Sequence, residues 1–210
     1  MYFTVYFISP FSILIPVLVS IITFKKQNKN LRLLSYLFFI GGFFDLILPI
    51  FQTAYNLQTI LFYQLFDFIQ FTLLILIIFP FKKFPLTKLK LLILPLLFTL
   101  SWLLFEFNIN TKSPTSYSAV FASFLLILAA IYNLYTLAKD TTLIIYKNYM
   151  FWINISVLIY FAGTIFVQTI TLIFPELTVT VWELHTIMNL VSNITFALSY
   201  VTFIKYLKKT

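Results

Sequence analysis

Apolar residues run through this chain in long stretches, broken by short segments that carry nearly all of its charge. A helix rises 1.5 Å per residue, so about 20 apolar residues are needed to cross the hydrocarbon layer of a bilayer. Seven stretches meet that length within a few residues: 5–24, 33–51, 59–79, 91–107, 117–137, 150–174 and 182–204. The pattern predicts an all-α fold, a single polytopic seven-helix bundle over residues 1–210. The connections are too short to hold a separate domain outside the membrane.

Those connections also set a direction. Lys25, Lys26, Lys29 and Arg32 follow the first stretch, and Lys82, Lys83, Lys88 and Lys90 follow the third. Lys139 and Lys147 follow the fifth; Lys205, Lys208 and Lys209 follow the seventh. The remaining connections, 52–58, 108–116 and 175–181, contain only Lys112. Thirteen of the 14 basic residues thus fall on one side of a seven-span thread. The positive-inside rule then places the C-terminus in the cytoplasm and the N-terminus outside. No Lys or Arg precedes the first stretch, the pattern expected of a retained helix rather than a cleaved signal peptide. Pro10, Pro16, Pro49 and Pro95 lie in or near the spans and read as kinks whose freed carbonyls are re-satisfied by neighbours.

Composition closes off other classes. The chain is 61% hydrophobic and 10% charged, with a mean hydropathy of +1.00. A typical soluble domain is about 25% charged, and one of this size could not hide so much apolar surface. With no Cys and one His, disulfides, thiolate chemistry and Cys-based or multi-His metal centres are excluded. The net charge of +8 sits in loops between apolar runs, which is topology rather than a nucleic-acid groove. The expected partner is therefore the lipid bilayer, whose anionic headgroups the basic loops can attract. No nucleic-acid partner is expected.

Polar groups inside the spans are the candidates for chemistry. Asp45 lies six residues from the outer end of the second span and Asp67 eight from that of the third. These are depths of roughly 9 and 12 Å. A carboxyl group at a helix centre costs about 2.5–3.5 kcal/mol on insertion scales, so it should face the bundle interior or a water-filled cavity. Gln64, Asp67 and Gln70 share a face at i, i+3 spacing, as do Gly41, Asp45, Pro49 and Gln52. Asn154, Phe161 and Gln168 align on the sixth span. On the seventh, His185, Asn189, Ser192 and Asn193 form a stripe, with Glu183 turned roughly 200° away as a lip residue.

The expectation is an outward-facing polar pocket enclosed by the second, third, sixth and seventh spans. Its lining would be Asp45, Asp67, Gln64, Gln168, His185 and Asn189. The competing reading is a closed hydrogen-bond network worth about 0.6 kcal/mol per contact. It is preferred for Asn154, Asn193, Ser192 and Gln70. Trp102, Trp152 and Trp182 read as interfacial anchors, and the aromatic residues need no cofactor to explain them. No cofactor is expected.

Known seven-helix families narrow the field. A retinal Schiff base needs a Lys within the last span, where the first is Lys205 at the cytoplasmic end. Ceramidases and progestin/adiponectin-type receptors pair an early Asp with a late His-x-x-x-His that holds zinc. Here His185-Thr186-Ile187-Met188-Asn189 puts a poor zinc donor in the second place. Phe151-Trp152, Tyr160-Phe161-Ala162-Gly163-Thr164 and Trp182-x-x-His185-x-x-x-Asn189, with Asp67 in the third span, resemble a set of small uncharacterised bacterial seven-helix integral membrane proteins. The resemblance covers mainly the last two spans. It implies the fold and a bacterial inner-membrane setting, and it transfers no catalytic role.

The leading functional expectation is a sensory or regulatory module. It would bind a small ligand, ion or lipid group in the pocket and pass a helix shift to a cytoplasmic protein partner. The alternative is a small transporter or channel using Asp45 and Asp67 for a cation or proton. A membrane lipid hydrolase comes third, because neither a nucleophile nor a metal set is evident and no catalytic residue can be named. The pattern leaves the oligomeric state open.

Overall fold

The computed structural model describes residues 10–55, 60–78, 96, 117–140 and 144–207, and every regular element among them is helical. Six helices result. They are α1 (Leu14–Thr23), α2 (residues 29–55), α3 (Ile60–Ile78), α4 (Tyr117–Ala138), α5 (Tyr149–Ile173) and α6 (Thr178–Leu207). Four apolar segments are long enough to cross a bilayer: Lys29–Gln52, Ala119–Ala138, Tyr149–Thr171 and Thr180–Tyr206. A shorter one, Phe62–Ile78, corresponds to the third expected span. Apart from Leu96, the expected span 91–107 lies outside the described residues.

Local chemistry explains the breaks. Asn28 caps α2 by accepting from Leu31 N at 3.0 Å, and Asn148 caps α5 by accepting from Met150 N at 2.9 Å. Pro16 offers no N–H to the Ser12 carbonyl one turn back, and the helical backbone is interrupted at Ile13 before α1 proper begins. Pro49 acts one turn deeper in the chain. An α-helix would aim the Asp45 carbonyl at the Pro49 nitrogen, which carries no hydrogen. The stretch Phe43–Ile47 is instead π-helical, with Leu48 N donating to Phe43 O, and α-helix resumes over Leu48–Tyr55. The bulge turns the later residues of α2 about its axis, and Gln52, expected on the face of Asp45, is exposed.

Each helix packs against its neighbours in the order α1 to α6, and α6 returns onto α1 to close a ring. α3 also touches α5 across the middle. Inside the ring Leu31, Leu34, Phe71, Leu74, Ile78, Leu126, Ile153, Val157 and Tyr200 are all but inaccessible. The outer surface is apolar as well: Ile22 is 82% exposed, Ile50 65% and Leu18 57%. Water would not tolerate such a surface, whereas hydrocarbon matches it.

One end of the bundle is basic. Asn30 Nδ2 lies 3.9 Å from Met150 Sδ, and the Tyr149 and Phe203 rings meet edge to face at 5.2 Å. These contacts bring the starts of α2 and α5 together with the end of α6. The seven described basic residues, Lys25, Lys26, Lys29, Arg32, Lys139, Lys147 and Lys205, therefore share one end. A buried polar knot closes it. Gln27 Nε2 donates to Ser20 O at 2.8 Å and to Thr23 Oγ1 at 3.0 Å, while its Oε1 accepts from Ser35 Oγ at 2.8 Å. The Tyr200 hydroxyl lies 3.1 Å from Ser35 Oγ. Gln27, Ser35 and Tyr200 were not singled out by pattern, yet they tie α1, α2 and α6 together.

Candidate functional site: a polar cavity at Asp45

A cavity of about 60 Å³ sits inside the ring between α2, α3, α5 and α6. Its polar lining is Asp45, Gln70, Tyr160, Asn189, Ser192 and Asn193; its apolar lining includes Ile13, Leu37, Phe38, Phe66, Leu74 and Phe196. The two sets are not mixed at random. Leu37, Phe38, Leu74 and Phe196 lie nearer the basic end along their helices than Asp45, Tyr160 and Asn189 do, so the part of the lining toward that end is apolar, while Ile13, Phe66 and Phe161 add apolar groups beside the polar ones. Phe38 and Phe196 meet edge to face at 5.1 Å in that part.

The helix irregularities place the carboxylate. Asp45 lies within the π-helical stretch, and Gly41 one turn earlier also lines the cavity. A Cβ on Gly41 would stand 3.0 Å from Ile13 Cδ1 and 3.4 Å from Phe66 Cζ, so a bare α-carbon lets both side chains reach the wall. Phe44 stacks on Phe66 at 4.8 Å and holds α2 against α3 at this level. Asp45 and Asp67 are both within electrostatic range of the Tyr160 hydroxyl, which Gln70 hydrogen-bonds.

On α6 the stripe is ordered by its own side chains. Asn193 Nδ2 donates to Ser12 Oγ at 2.7 Å and to Asn189 Oδ1 at 3.2 Å. Ser192 Oγ donates to Ser156 O at 3.1 Å, joining α6 to α5. Deeper toward the basic end, Asn154 receives Asn133 Nδ2 at 3.3 Å and itself donates to Met150 O at 2.6 Å. Asn154 thus ties α5 to α4. Ser192, Asn193 and Gln70, read with it as network residues, line the cavity.

Of the six expected pocket residues, Asp45 and Asn189 are in the cavity wall, while Gln64, Asp67, Gln168 and His185 lie outside it. His185 is a wedge between α5 and α6. Its Nε2 is 3.3 Å from Thr164 Oγ1, and its ring packs at 5.7 Å on Tyr160 and 5.4 Å on Trp182. Thr164 already spends its hydroxyl hydrogen on Tyr160 O at 3.0 Å. It must accept from the imidazole, so His185 carries a hydrogen on Nε2. Gln168 sits a turn farther from the basic end with Oε1 buried and unpaired among the described residues. Asp67 and Gln64 occupy the same end of α3, a turn or two above Gln70.

Tyr160 is the residue that pattern reading passed over as a site residue. It links the cavity, both carboxylates and His185. A tyrosine halfway along a span, one turn before Thr164, was the available signal. Comparison with known proteins adds nothing to this geometry: no family model, no curated protein and no solved structure matches the chain.

Proposed function

We propose that this chain is a multi-pass protein of the cell membrane, threaded seven times with the N-terminus outside and the C-terminus in the cytoplasm. We read it as a sensory or regulatory module whose ligand is a small ion held at Asp45. Its apolar exterior and the gathering of basic residues at one end support the membrane setting and the direction. The resemblance to small bacterial seven-helix membrane proteins supports the same setting.

The observation that carries the ligand reading is the size and lining of the cavity. About 60 Å³ admits a few waters or an ion. Sites for organic ligands occupy about 300–1,000 Å³. A lipid group or metabolite is thus a poor fit. Toward the basic end, among the described residues, Leu34, Ile153 and Val157 are all but inaccessible. A packed core at that end suits a sensor better than a conduit. Its output would pass from α6 to a cytoplasmic protein partner.

A cation transporter is the second reading, favoured by the approach of both Asp45 and Asp67 to Tyr160. Reconstitution into sealed vesicles separates the two. The sensor reading expects no cation or proton flux above that of empty vesicles. Flux that disappears in Asp45→Asn would overturn it in favour of transport.

A further inference from the structure

On the α6 side of the cavity the hydrogens of two lining residues are already committed. Both Asn193 amide hydrogens go to Ser12 Oγ and Asn189 Oδ1, and the Ser192 hydroxyl hydrogen goes to the Ser156 carbonyl. What Asn193 and Ser192 have left to offer an occupant is oxygen. Asp45 adds carboxylate oxygens and Asn189 an amide oxygen on the same wall. Gln70, Tyr160 and the Asn189 amide bring donors to the same lining, and the oxygens gathered beside one carboxylate fit a small positively charged occupant.

Charge and number narrow it further. Among the described residues no group of three His, Cys, Asp or Glu side chains gathers that could hold a metal ion. Calcium would bring two charges and draw on several carboxylates, and magnesium keeps a near-ideal octahedral shell of waters. Either would leave one charge uncompensated in a low-dielectric interior. One charge, hard oxygen ligands and space for a few waters match an alkali cation, and a carboxylate favours the smaller ions of that group.

We infer that the cavity is a sodium site, in which Asp45, Asn189, Ser192 and Asn193 hold one partly hydrated Na⁺. This rests on the reading of the Asp45 cavity as the ligand site and names its occupant. Asp45, in the π-helical turn, lines the cavity together with these α6 residues, and a bound ion would draw α2 and α6 together.

The test uses the full chain purified in detergent and in lipid nanodiscs, with ionic strength held constant by choline chloride. Radioactive ²²Na⁺ binding to the wild type should be saturable, near one ion per chain, competed by Li⁺ and unaffected by choline. The thermal midpoint should rise by several degrees with Na⁺. Both responses should vanish in Asp45→Asn and weaken about tenfold in Ser192→Ala, the loss of one oxygen ligand. Because the binding measurement is made on the wild type, failure of a variant to fold does not protect the idea. Absence of saturable ²²Na⁺ binding overturns the sodium site. If pH alone then moves the wild-type midpoint through Asp45, the ligand site survives with a proton as its occupant. If neither Na⁺ nor pH moves it, the reading of the cavity as a ligand site falls too.

Discussion

Asn193 on α6 donates from Nδ2 to the hydroxyl of Ser12, just ahead of α1, across 2.7 Å. Both side chains are buried away from the surface of the bundle. Ser12→Ala should leave an amide hydrogen of Asn193 unpaired at a cost of about 1–2 kcal/mol. Asn193→Leu should cost a similar amount by removing the donor to Ser12 Oγ and to Asn189 Oδ1. The double variant should be less destabilised than the sum of the two, by about 0.5–1.5 kcal/mol, in a thermal unfolding cycle on detergent-solubilised protein.

The glycines make a sharp contrast. A Cβ on Gly163 would stand 2.5 Å from Met188 Sδ and 3.2 Å from Met188 Cβ, whereas nothing lies within 4 Å of one on Gly42. Gly163→Val should destabilise by about 1–3 kcal/mol through overpacking of α5 on α6. Met188→Ala should recover part of that loss. Gly42→Ala sits in open space within a helix and should be neutral or stabilising by up to about 1 kcal/mol.

At the basic end, Gln27 holds Ser20, Thr23 and Ser35 at once, while Tyr200 contributes only its hydroxyl to that knot. Tyr200→Phe should cost about 0.5–1.5 kcal/mol, since Ser35 keeps bonds to Gln27 and the Leu31 carbonyl. Gln27→Leu removes several partners together and should cost more, about 2–4 kcal/mol. A ranking in which Tyr200→Phe is the worse of the two, measured by thermal midpoints, would contradict the hub assigned to Gln27.

Pro49 offers a way to move Asp45 without altering it. Pro49→Ala restores the missing N–H, so the stretch Phe43–Ile47 should relax from π- to α-helix and turn Asp45 out of the cavity wall. The variant should fold, with a midpoint in choline chloride at or above that of the wild type. Its response to Na⁺ should drop at least tenfold. A wild-type response in Pro49→Ala would mean that the bulge does not aim the carboxylate.

Hydropathy predicted where helices run because it reads apolar length, and the starts and ends of α2 to α6 fall within a few residues of the expected spans. It also drew attention to Asp45 and Asn189, polar groups that a bundle interior must accommodate. Facing was harder. An i, i+4 stripe assumes unbroken α-geometry, and the π-helical turn ahead of Pro49 invalidates that for Gln52. The proline was visible in the sequence four residues after Asp45, but its effect on the ladder depends on packing that the sequence does not display. His185 attracted attention as the sole histidine, yet its work is to join Thr164, Tyr160 and Trp182. Ordinary-looking serines and asparagines at Ser12, Ser192 and Asn193 build the cavity, because which of their hydrogens are spent is decided only by the neighbouring helices.

The three-residue turn Pro175–Leu177 joins α5 and α6 so tightly that the two must enter the bilayer as one antiparallel hairpin. This hairpin supplies Tyr160, Asn189, Ser192 and Asn193, whereas Asp45 has emerged from the ribosome long before. During synthesis Asp45 therefore waits in lipid or translocon, without the oxygens that later surround it, until the hairpin docks and α6 meets α1. Closure of the ring is the step at which the carboxylate is sheltered. A chain stalled before α6 would leave a lone acidic group facing hydrocarbon, a mark by which membrane quality control can recognise an unfinished bundle.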